Sequence, residues 1–81
     1  MSKRQYKDLL NELETIKGQA KSEDELDALF AKYGWQCMGF CRKTNDLIYI
    51  ESPMGKEIDL MNTVDEKGLI TIIEIKKRFW D

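Results

Sequence analysis

At Gly34 the apolar residues of this chain change period, and that change limits the fold more than any other feature. Before it, Tyr6, Leu9, Leu10, Leu13 and Ile16 recur at helical intervals, and so do Leu26, Leu29, Phe30 and Tyr33. Each set therefore lies along one stripe of a helix. After it come four short runs rich in aromatic and β-branched residues: Trp35–Lys43, Leu47–Glu51, Glu57–Val64 and Leu69–Lys76. These have the composition of strands. The last run also fits a helix through Leu69, Ile72, Ile73, Lys76 and Trp80, but its β-branched content favours a strand.

The punctuation agrees with this division. Ser2 with Gln5, and Ser22 with Glu25, have capping-box spacing. Glu23, Asp24 and Glu25 suit the positive end of a helix dipole, and Gly34 suits a left-handed helix stop. Ser52-Pro53-Met54-Gly55 reads as a type I turn, Asp65-Glu66-Lys67-Gly68 as a hairpin loop closed by a glycine bulge, and Thr44-Asn45-Asp46 as the remaining turn. Links this short favour a meander. The expected fold is α+β, two N-terminal helices on one face of a roughly four-stranded antiparallel sheet (ααββββ), as one domain over residues 1–81 with an irregular Gly18–Lys21 link.

With 42% hydrophobic and 35% charged residues the composition is that of a globular protein. No apolar run approaches the roughly 20 residues of a membrane span, so no membrane association is expected. The first residues enter an amphipathic pattern directly, without an apolar region or cleavage site, and a cytoplasmic location follows as the expectation. Cys37 and Cys41 on one strand would lie about 13 Å apart, beyond bridging distance, and read as reduced core thiols. The net charge of −2 is spread evenly along the chain and advertises no nucleic-acid surface.

The chain has no histidine, which removes the usual base near neutral pH and the commonest metal ligand. Two thiols alone do not make a zinc site. Gly55-Lys56 lacks the upstream glycine of a phosphate-binding loop. No cofactor is expected on these grounds.

One hairpin remains, with Gly55-Lys56-Glu57-Ile58-Asp59-Leu60 on one strand and Ile72-Ile73-Glu74-Ile75-Lys76 on the next. It resembles the metal-site hairpin of the PD-(D/E)XK nuclease superfamily. The resemblance implies that Asp59 and Glu74 hold Mg²⁺ or Mn²⁺, that Lys76 is the catalytic lysine that positions water or stabilises charge, and that Glu57 is an accessory ligand. Hard oxygen ligands that leave the ion its waters suit such hydrolysis. The plainer reading is an amphipathic hairpin whose charges face water or pair across strands.

Two other features invite partners. Lys76, Lys77, Arg78 and Trp80 combine phosphate-binding charge with an aromatic face, which would serve non-catalytic nucleic-acid binding; alternatively the aromatic end folds back on the core. Strict alternation turns Met38, Phe40, Ile70 and Ile72, joined by Tyr49 and Met61, away from the helices as an exposed patch. A bulge that turns one set inward, or the C-terminal tail covering the patch, would remove it. The expectation is a small cytoplasmic protein-binding module, a regulator or inhibitor docking through Met38, Phe40, Tyr49, Ile70 and Ile72, with a homodimer as one form. The nuclease and nucleic-acid readings are its alternatives.

Overall fold

The second helix starts where its cap dictates. Ser22 is extended, and its hydroxyl oxygen accepts the Glu25 backbone N–H at 3.1 Å, so one of the orphan N–H groups of the first turn is satisfied. Gly34 then takes φ +80 and turns the chain out of the helix, its N–H donating to Ala31 O. The computed structural model describes residues 3–41, 43–51 and 55–80. The elements are α1 (Lys3–Ile16), β1 (Ala20–Lys21), α2 (Glu23–Ala31), β2 (Trp35–Phe40), β3 (Leu47–Glu51), β4 (Glu57–Val64) and β5 (Ile70–Arg78). The Ser2 cap and Ser52–Met54 of the proposed turn lie outside the described residues.

The fold is α+β with a five-stranded antiparallel sheet rather than four, in the order β1-β5-β4-β3-β2. β2 to β5 form the expected meander. The additional strand comes from the helix–helix link: Gly18, at φ +85, turns the chain after α1 and donates its N–H to Ile72 O at 3.0 Å, after which Ala20 and Lys21 pair with Thr71 and Ile70. A two-residue strand has no alternation to read, so tertiary pairing alone creates it. The Asp65–Gly68 loop forms as its residues imply. Asp65 Oδ1 accepts the N–H groups of Lys67 and Leu69, and Gly68 sits at φ +82.

Both helices pack on one face. Leu9, Leu13, Leu26 and Phe30 meet Trp35, Leu47, Tyr49, Ile58, Leu60, Ile70 and Ile72 in a single core. At its centre the Phe30 and Tyr49 rings stack with centroids 3.8 Å apart, and the buried Tyr49 hydroxyl donates to Asp27 on α2. The ring contact and the hydroxyl bond together fasten α2 to the middle of the sheet.

Two bulges decide which side chains reach this core. One places Met38 as an extra residue on β2, and the other places Ile73 as an extra residue on β5. Each reverses the alternation beyond it. Ile70 and Ile72, each 2% exposed, therefore join the half-buried Ile75 on the helix side, while Ile73 is turned outward. Truncating Phe30 removes the stacking partner at the core's centre: Phe30→Ala is expected to cost about 3–5 kcal/mol, measured as a fall in the urea unfolding midpoint with unchanged far-UV dichroism.

Candidate functional site

On the helix-free face, the register sets Asp59 directly opposite Lys76 and Glu57 opposite Arg78, with Ile48 and Ile50 of β3 beside them. Asp59 is only 3% exposed although no helix covers it. Long basic side chains roof it instead. Arg78 Nε donates to Asp59 Oδ2 at 2.9 Å and lies 3.7 Å from Glu57, while Lys76 Nζ meets the buried Asp46 at 3.0 Å. Asp46 stands just before β3, and its pairing with Lys76 had no signal in the sequence. Burial, then a hydrogen bond to Asp59 and its negative charge, push the Glu57 carboxyl above the usual range, partly offset by Arg78.

The nuclease-like residues are therefore brought to one face but not to one point. Asp59 and Lys76 are cross-strand neighbours, whereas exposed Glu74 lies in the next row, opposite Met61. Asp59 Oδ1 and Asp46 Oδ1 are buried without a hydrogen-bond partner, which leaves acceptor capacity beside Lys76. The other Asp59 oxygen is occupied by Arg78, and the Lys76 ammonium by Asp46. A divalent ion would have to enter beside two cations already placed there.

The C-terminal residues likewise divide. Phe79, at φ +63, bends the chain so that Trp80 returns to the core, with ring centroids 5.2 Å from Tyr6 and 6.0 Å from Trp35. Its indole N–H donates to Glu57 O at 3.0 Å, and Lys56 and Lys77 lie over the ring at 5.8 and 5.6 Å. Lys76 and Arg78 point to the opposite face, into their ion pairs. Lys76, Lys77, Arg78 and Trp80 thus form no single surface; the Trp80 ring is packed on Tyr6 and Trp35, while Phe79 is exposed.

The apolar patch needs a correction of the same kind. Tyr49, Ile70 and Ile72 are core residues, because Tyr49 stacks on Phe30 and the β5 bulge turns both isoleucines inward. Met61, 39% exposed, stays on the helix-free face beside Glu74, and Met38 and Phe40 remain, 63% and 40% exposed. Both lie on β2, which ends the sheet order with β3 as its one strand neighbour among the described residues. Phe40 also lines a groove of about 400 Å³ with Val64, the edge of Ile70, Asn45, Gly68 and Glu23. Val64 was not foreseen as a surface residue. Its position at the end of β4, beside the Asp65–Gly68 loop, was the available signal.

The two edges of the sheet differ sharply. β5 is overlain at its start by β1, and its remaining length carries Glu74, Lys76, Lys77 and Arg78, charges of the kind that discourage edge pairing. β2 reads Trp-Gln-Cys-Met-Gly-Phe, with no charge at all, and it carries a bulge.

Neither cysteine is a core thiol as expected. Both are unpaired, with Cys37 exposed and Cys41 half-buried. Cys37 shares a small cluster with Glu23 and Asp27, where partial burial and these acids push its thiol up. No helix among the described residues is long and apolar enough to cross a membrane. No protein-family model, curated protein or solved structure matches the chain.

The raised Glu57 has a consequence for pH. Folding takes up a proton between the ordinary glutamate value and the raised one, so this group's contribution to stability is lost as pH rises through that window. Glu57→Gln is expected to flatten the decline in urea-unfolding free energy between pH 4.5 and neutrality relative to wild type; parallel curves for the two proteins would count against this proton uptake.

Proposed function

We propose that this protein is a small protein-binding module, a regulator or inhibitor that acts by docking, and that its docking element is the outer edge of β2 over Gln36–Phe40. The observation that carries the reading is the six-residue uncharged edge strand with Met38 and Phe40 exposed, Phe40 also lining the groove that reaches Val64. An extended segment of another polypeptide adds to such an edge through main-chain hydrogen bonds, and side-chain pockets beside the edge select it. The surplus apolar surface lies where those pockets are needed. Unpaired thiols fit a reducing compartment, which supports a cytoplasmic location.

A photo-crosslinking side chain tests this. Placed at Met38 it is expected to give discrete protein adducts that Phe40→Asp removes, whereas the same group at exposed Lys7 on α1 gives none. Equal labelling from both positions would sink the edge reading.

The metal-dependent nuclease stands as a second reading, favoured by one observation: Asp59, Glu74 and Lys76 share the helix-free face and Asp59 Oδ1 is buried without a partner. It ranks below the first because Arg78 already pairs with Asp59, Asp46 already holds Lys76, and Glu74 lies in the next row. Titration of Mg²⁺ or Mn²⁺ followed by amide shifts separates the two. Under the leading reading no saturable shift centres on Asp59 and Glu74, and Asp59→Ala leaves docking unchanged.

A further inference from the structure

The receptive edge is not electrically neutral ground. The first turn of α2 carries Glu23, Asp24 and Glu25, with Asp27 one step further. Lys21 pairs with Glu25 at 3.7 Å, but no ion pair to Glu23, Asp24 or Asp27 is present among the described residues. The helix dipole supplies only about half a positive charge at this end, less than three carboxylates require. Asp27 is committed to the Tyr49 hydroxyl, which leaves Glu23 and Asp24 as exposed, unbalanced charges.

These acids lie beside the docking edge. Ligand atoms of Glu23 and Asp27 fall within 4.8 Å of Cys37 Sγ on β2, and Glu23 is also one wall of the groove that holds Phe40, Val64 and Ile70. A strand laid on β2 would thus meet the exposed Phe40 ring and a negative wall at once. A second copy of β2 matches this poorly. It would bring no charge of its own strand to the acids, and a two-fold axis near Cys37 would oppose the two acidic clusters.

We infer that the occupant of the β2 edge is a basic, extended segment of a different protein, with an apolar side chain packed on Phe40 at the β2 end of the groove and a lysine or arginine against Glu23. This rests on the edge-docking reading above. The bulge at Met38 breaks the ladder, so the paired stretch is short and the side-chain contacts carry the selection.

Three capped peptides of alternating pattern test it, identical in their valine and leucine positions and bearing lysine, glutamine or glutamate between them, each titrated into the full chain while β2 amides are followed by NMR. The lysine peptide is expected to bind tightest, to weaken with added salt, and to lose about fivefold in affinity in Glu23→Lys, the scale of one exposed charge pair. Phe40→Asp is expected to abolish its binding. Equal affinity for all three peptides would overturn the basic partner while leaving edge docking intact. Concentration-dependent β2 shifts without any peptide would make the occupant a second copy and overturn it as well. No β2 shift with any peptide, and none with concentration, would overturn both readings.

Discussion

Only one face of this sheet is covered by helices, so every large apolar side chain competes for the same side. That constraint sets the rest of the architecture. Strict alternation would strand Ile70 and Ile72 in water, and the extra residue at Ile73 shifts them to the helix side. The chain thereby gains two core isoleucines for one exposed one. The bulge at Met38 works likewise on β2, turning Phe40 to the same side as its partner Leu47 while leaving Met38 outside. The exposed residues at the proposed docking edge are thus the remainder of the rule that builds the core.

The helix-free face solves a different problem. With no layer above it, it is closed by its own side chains, Arg78 and Lys76 lying over Asp59 and Asp46. Buried ion pairs of this kind add little net stability, but removing one member leaves a charge unpaired in a poorly solvated place. The network therefore constrains register: sliding β5 by one residue against β4 would separate Asp59 and Glu57 from Arg78 and send Lys76 and Arg78 to the core side.

The legible part of the fold was local. The helical stripes from Tyr6 to Ile16 and Leu26 to Tyr33, the Ser22 cap, the Gly34 stop and the strands Leu47–Glu51 and Glu57–Val64 follow from period and punctuation, and they stand in the structure as read. What escaped was set at long range. Ala20–Lys21 is a strand only because β5 lies beside it, and Lys76 finds Asp46 thirty positions away. Alternation placed Ile70 and Ile72 on the wrong face because a bulge leaves no residue type behind to announce it; Gly39, at φ +107, was the one backbone hint, and it lies on the other strand. Asp59, Glu74 and Lys76 were legible as sharing a face, since strand period and hairpin register fix that much. Their ion-pair partners were not.

The two-residue strand β1 closes the β5 edge where the hairpin would otherwise offer its backbone, and charge guards the rest. A sheet with two receptive edges can add neighbours without limit. With β5 closed in this way, the docking proposed at β2 adds one partner strand at one edge, which gives a fixed stoichiometry instead of a filament.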